Sequence, residues 1–135
     1  MMDYRNHISE KSMLNTPPVF AIYVCLLTLR WLKKQGGVSA IEKQNEIKAS
    51  TLYKEIDENE LFTGTVRVED RSKMNICFVM NDDSLESDFL TYSESLGIVG
   101  IKGHRFVGGF RASLYNAMPL ASVEILVNAM KNFGK

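Results

Sequence analysis

The chain has 135 residues, 45% of them apolar and 24% charged, which is the size and make-up of one globular domain with a real core. Sixteen basic residues balance sixteen acidic ones, so no overall field draws the chain to nucleic acid or an anionic membrane, and any anion site must be local. Two histidines, and two cysteines (Cys25 and Cys77) without a CxxC spacing, argue against a metal centre and for buried, reduced thiols in a cytosolic protein.

Residues 1–14 are polar and without pattern. They read as a lead-in or linker with a solvated His7, and their mixed charges do not form a secretory signal. Asn15-Thr16-Pro17-Pro18 offers a capping side chain and then prolines suited to a first helical turn, so a helix is predicted to run to Lys34, where Gly36-Gly37 stops it. Its stretch 19–32 is too short to span a membrane. A helix that is apolar nearly all round is expected to be buried, with neighbours on several sides.

Ser39-Ala40-Ile41-Glu42 reads as a capping box opening a second helix to about Glu58, with Ile41, Ala49, Leu52 and Ile56 inward and its Lys and Glu residues outward. Strands are predicted at 61–68 and 74–80, the second with Met74, Ile76, Phe78 and Met80 on one face and Cys77 and Val79 on the other. Asp82-Asp83-Ser84 caps a third helix bearing Leu85, Phe89, Tyr92 and Leu96, closed by Gly97. Strands at 98–102 and 110–115 flank a glycine-rich loop, and Pro119 opens a last helix with Leu120, Val123, Val127 and Met130 inward. The methionines fall at core positions as gap-fillers. The order α, α, β, β, α, β, β, α predicts an α+β fold, a small mostly antiparallel sheet with helices packed on one face.

The stretch 102–116 carries the chemistry. His104, Arg105 and Arg111 are set among Gly103, Gly108 and Gly109, and guanidinium groups grip phosphate and carboxylate by paired, planar hydrogen bonds. Two separate arginines suit a ligand with two acidic ends; the plain alternative is a glycine-rich hairpin with solvated basic residues. Alternation along 110–115 puts Arg111 on the face of Ser113 and Tyr115, opposite Phe110, Ala112 and Leu114. Asn15 and Thr16 stand at a helix start, where exposed amides favour a phosphate, though such residues serve equally as ordinary caps. Lys102 reads as a surface lysine, and Asp82-Asp83 as a cap in preference to a metal or acid-base pair.

Two segments, Leu14-Asn15-Thr16-Pro17-Pro18-Val19-Phe20-Ala21 and Lys102-Gly103-His104-Arg105-Phe106-Val107-Gly108-Gly109-Phe110-Arg111-Ala112-Ser113-Leu114-Tyr115-Asn116-Ala117-Met118-Pro119, closely resemble the C-terminal part of the phosphoserine aminotransferases. Trp31-Leu32-Lys33, Arg71-Ser72-Lys73-Met74-Asn75 and Leu96-Gly97 are similar to the same family in the same order. The resemblance implies the small domain of a fold-type I, class V, pyridoxal-phosphate transaminase of serine biosynthesis, a cytoplasmic homodimer with shared active sites. It exchanges phosphohydroxypyruvate and glutamate for phosphoserine and 2-oxoglutarate. On that resemblance residues 1–14 are a linker and 15–135 the small domain with its long opening helix. Asn15 and Thr16 would reach the cofactor phosphate of the partner subunit, His104 and Arg105 would form part of the substrate-phosphate pocket, and Arg111 would clamp the substrate carboxylate. The family's cofactor-bearing lysine belongs to a large domain absent here, so no catalytic residue, no bound cofactor and no activity are expected of the chain alone. The alternative from the residues is a stand-alone anion-binding or regulatory module. Neither nucleic acid nor membrane is an expected partner.

Overall fold

In the computed structural model of the chain, residues 3–106 and 108–134 are described. The chain forms two compact units, residues 1–39 and 40–135.

The first unit holds α1 (Tyr4–Ser9) and α2 (Val19–Lys34). Helix α1 lies in the stretch read as patternless. Asp3 starts it by accepting a hydrogen bond from the Arg5 amide at 3.0 Å, a local signal in a short polar segment. Helix α2 ends where expected but begins later. Pro18 is its N-cap, and neither Asn15 nor Thr16 caps it. The cause is the double proline: the amides an Asn15 cap would need belong to Pro17 and Pro18, which have none, and the Val19 amide is taken by the Pro17 carbonyl at 2.8 Å. No residue of α2 is buried, with Phe20 81% and Val19 63% exposed, contrary to the expected buried helix. Cys25 on it is exposed too, not a buried thiol. Helix α1 buries nothing either, so the described residues of this unit supply no apolar layer to close over α2.

The second unit is built on α3 (Val38–Glu58), which starts one residue ahead of Ser39, so the predicted capping box lies inside the helix. Ile41, Ala49, Leu52 and Ile56 are buried as expected. Lys48 and Glu55 are buried against expectation because both find polar partners inside. The Lys48 ammonium donates to the Leu114 and Tyr115 carbonyls at 3.2 and 2.9 Å; Glu55 accepts from Asn59 at 2.9 Å and stands 3.7 Å from Lys131. Burial pushes the Lys48 pKa below its ordinary value.

Strands β1 (Phe62–Gly64), β2 (Asn75–Met80) and β3 (Phe110–Ser113) make an antiparallel sheet in that order. The first predicted strand is cut short at Gly64, and the chain then passes through a 3-10 turn at Val68–Asp70. The predicted strand at 98–102 shrinks to a single bridge between Lys102 and Phe110. Gly100, at φ 74°, bends the segment off a strand path. A 3-10 turn capped by Asp82 leads into α4 (Glu86–Ser95); Leu96 beyond it is 46% exposed, not inward. Helix α5 (Leu120–Asn132) buries Val123, Val127 and Met130, while Leu120 stays exposed. Met13 and Met118 are likewise exposed, outside the core positions expected of them.

The fold is α+β, as read from the sequence. One face of the sheet presents Phe62, Ile76, Phe78, Met80, Phe110 and Ala112 to α3, α4 and α5 in one apolar cluster. Phe89 of α4 meets Phe62 and Phe110 edge-on at 5.1 and 5.2 Å, tying helix to sheet through ring contacts. The other face is only partly covered and carries Cys77, Val79, Arg111 and Ser113.

Candidate functional site

Arg111 reaches the open face because its strand neighbours Phe110 and Ala112 are locked into the core, leaving it the opposite side. Its backbone is held from both flanks: it pairs in register with Cys77 of β2, and its amide donates to the Ile101 carbonyl at 2.7 Å. Its guanidinium makes no ion pair or side-chain hydrogen bond among the described residues. Below it Ser113 and Asn75 share a hydrogen bond at 3.1 Å across the two strands.

The loop before β3 closes on itself. The Gly103 amide donates to the Gly109 carbonyl at 2.7 Å, and the Gly108 amide to the His104 carbonyl at 2.8 Å. His104 and Arg105 are exposed at its tip. The Phe106 amide points at Nδ1 of His104 at 3.4 Å, which makes Nδ1 the acceptor and leaves Nε2 as the nitrogen open to a ligand. The Arg105 guanidinium lies over the Phe106 ring, 4.7 Å from its centre.

A cavity of about 200 Å³ opens between this loop and the sheet, lined by Thr65, Cys77, Gly103, His104 and Arg111 among others. It joins a histidine donor on the loop to a guanidinium on the strand. Arg105 does not line it, although it follows His104 on the same tip. Thr65 and Cys77 were not singled out by sequence reasoning. Alternation puts Cys77 on the open face, but only the register of β2 with β3 sets it opposite Arg111. A larger cavity of about 390 Å³ lies beyond β3, beside the 96–101 segment and α5. Arg111 is the one charged side chain on its wall, so it lacks the second centre that a two-ended anion needs.

Asn15 and Thr16 are exposed in the first unit, with side chains that make no hydrogen bond among the described residues. Having lost the capping role to geometry, both keep their oxygen and hydrogen donors free for an outside group. Lys102 is exposed, as expected. Asp82 accepts from the Ser84 hydroxyl at 2.6 Å and the Ser84 amide at 3.0 Å, which together hold its carboxyl below the ordinary range, and the amide bond accounts for it as a cap. No group of three His, Cys, Asp or Glu that could hold a metal occurs among the described residues, and no helix there is long and apolar enough to cross a membrane.

The sequence matches the family of class-V aminotransferases over residues 1–126. The chain belongs to the class V aminotransferase family. It is 60% identical over its whole length to the phosphoserine aminotransferase of Parabacteroides distasonis, of which it covers 39%. It is 56% identical over 98% of its length to that of Porphyromonas gingivalis, covering 38%. Among solved structures, phosphoserine aminotransferase from Bacillus circulans subsp. alkalophilus superposes with a TM-score of 0.87 at 44% identity, over 96% of this chain and 36% of that one. The pyridoxal-phosphate-bound phosphoserine aminotransferase from Trichomonas vaginalis does so with a TM-score of 0.84 at 39% identity, over 97% and 38%. The chain thus spans about two fifths of the relatives it matches.

Pyridoxal phosphate is the group this membership implies, and the residues present suit one part of it. The free side chains of Asn15 and Thr16 fit a phosphate. Among the described residues one lysine, Lys48, is buried, and its ammonium is committed to two backbone carbonyls.

Proposed function

We propose that this chain is the C-terminal, substrate-gripping part of a phosphoserine aminotransferase that exchanges phosphohydroxypyruvate and glutamate for phosphoserine and 2-oxoglutarate. The observation that carries the reading is the shared cavity of His104 and Arg111, with Arg105 next to it on the loop. Residues 15–135 are the small domain with its opening helix, and 1–14 the linker to the rest.

Arg111 takes the substrate carboxylate in a two-point grip, which fixes the rotation of the substrate about its Cα. His104, through its Nε2 proton, and Arg105 hold the phosphate end. Gripping both ends turns the Cα–H bond toward the reacting group and contributes through orientation, not proton transfer. When bound, pyridoxal phosphate supplies the electron sink for breaking that bond. Asn15 and Thr16 hold its phosphate across a homodimer interface, in a cytoplasmic enzyme of serine biosynthesis. The chain alone is inactive in this reading, because the cofactor-bearing lysine that the resemblance implies lies in the part of the enzyme these residues do not span.

The test joins this chain to the preceding part of the Parabacteroides distasonis relative. The rebuilt enzyme is expected to transaminate phosphoserine with 2-oxoglutarate, while the 135-residue chain mixed with pyridoxal phosphate shows neither turnover nor a visible absorption band. Turnover by the chain alone, or a rebuilt enzyme that folds and ignores phosphoserine, would sink the reading.

A further inference from the structure

Strand β3 is an outer strand of the sheet, and part of its free edge is unpaired. Hydrogen bonds along an antiparallel pair alternate from residue to residue. The Leu114 amide turns to the Met74 carbonyl on the β2 side at 2.7 Å, so Arg111 and Ser113 turn their backbone groups outward. Residues 101–103 take up the first of the outward groups: the Gly103 amide reaches the Gly109 carbonyl, and the Arg111 amide reaches the Ile101 carbonyl. Beyond that point the Arg111 carbonyl and the amide and carbonyl of Ser113 make no hydrogen bond among the described residues. They lie along the cavity of about 390 Å³ beside α5, where Leu96, Val99 and Ile125 are exposed on the walls. An unpaired strand edge next to uncovered apolar side chains is a template for another strand.

Neither the neighbouring segment nor a second copy of the chain suits that place. The Lys102–Phe110 bridge sets Ile101 opposite Arg111, so laying 98–101 along the edge would carry Ile101 out of the core, where it is 7% exposed, onto the open face. Gly100, at φ 74°, already turns the segment away. Pairing with β3 of a second copy would set two Arg111 guanidinium groups on one face within about two residues of each other, and like charges so placed repel.

We propose that this edge is the docking groove for one extended segment of the same enzyme, drawn from the part these residues do not span. The inference rests on the reading of the chain as the C-terminal part of a longer enzyme, and the relatives leave room for such a segment, since the chain covers 39% and 38% of two of them. The segment joins the sheet as a fourth strand over about three residues: its amides meet the Arg111 and Ser113 carbonyls, and one of its carbonyls takes the Ser113 amide. An apolar side chain on it covers Leu96 and Ile125. The contact fastens the rest of the enzyme to the strand that bears Arg111.

The experiment compares amide hydrogen exchange in the 135-residue chain and in the rebuilt enzyme. The Leu114 amide, bonded to Met74, is the internal reference for overall stability. Relative to it, the Ser113 amide is expected to exchange about 100-fold more slowly in the rebuilt enzyme than in the chain. Ile125→Asp, on the exposed wall of the groove, should leave the unfolding midpoint of the chain unchanged and return Ser113 to fast exchange in the rebuilt enzyme. If that variant does not fold, Val99→Asp, at a position 77% exposed, should do the same. A Ser113 amide that exchanges equally fast in both proteins, or that stays protected in the folded groove variant, overturns the proposal. So does protection in the chain alone: if it rises with concentration the occupant is a second copy, and if it does not the occupant is the chain's own 98–101 segment. Turnover of phosphoserine is read separately. A rebuilt enzyme with a slow Ser113 amide and no turnover overturns the proposed reaction and keeps the groove; turnover with a fast Ser113 amide does the reverse.

Discussion

Two arginines in the second unit have opposite fates. Arg71 is committed: its guanidinium meets both oxygens of Asp57 at 2.6 Å, lies 4.5 Å from the centre of the Tyr53 ring, and closes over Gly64. Arg111 has a backbone as firmly held and a guanidinium with no partner among the described residues. Lys48 belongs with Arg71, its charge absorbed by two carbonyls at the end of the Arg111 strand. A cation whose charge is paired inside the fold stabilises the fold. One that is anchored but left open is available to a ligand, and this contrast is the ground for the binding role proposed for Arg111.

The comparison can be broken most directly at Arg111. In the rebuilt enzyme Arg111→Ala is expected to lower kcat/KM for phosphoserine about 100-fold, some 2.7 kcal/mol of transition-state binding, with an unchanged melting temperature. A large drop in thermal stability would place Arg111 with the structural cations. Lys48→Met should show the converse. It strands one buried and one part-buried carbonyl and is expected to cost about 2–3 kcal/mol in denaturant unfolding of the chain. Arg71→Ala should cost less, about 1–2 kcal/mol, since its partner Asp57 remains half exposed to water. Stability equal to the parent in either variant would remove the distinction.

The smallest effect is in the acid range. The hydrogen bonds from Arg71 hold the Asp57 carboxyl below its ordinary value. A carboxylate whose folded pKa is depressed contributes stability that is present above the unfolded pKa near 3.8 and is lost as pH falls through the folded value. Between pH 5 and 2 the parent should therefore lose stability more steeply than Arg71→Ala, by chemical unfolding at a series of pH values. Parallel curves would show that the pair does not persist in solution.

Much of this was legible in the sequence where a local period or a local cap decides the outcome. Alternation put Arg111 opposite Phe110, Ala112 and Leu114, and all three of those are buried. Asp82 and Gly97 marked the start of the turn before α4 and its end. What failed depended on partners distant in sequence. Nothing local shows that Lys48 finds carbonyls 66 and 67 residues away, or that Cys77 lies across from Arg111. The Asn15 cap failed for a local reason that could have been read, since two prolines in succession remove the donors it requires. The apolar girth of α2 was plain in the sequence; its exposure was not, because periodicity shows how much surface wants cover and not whether the chain supplies it.

Trp31 is the sole tryptophan, and it lies on α2 in the first unit, while the core of the second is built on phenylalanine rings. Indole emission therefore monitors the melting of α2, whereas near-ultraviolet dichroism from the packed phenylalanines monitors the sheet and its helices. Two transitions that part company on heating would mean that the two optical signals are following two separate foldings, and a single midpoint from fluorescence would say nothing of the domain that carries Arg111.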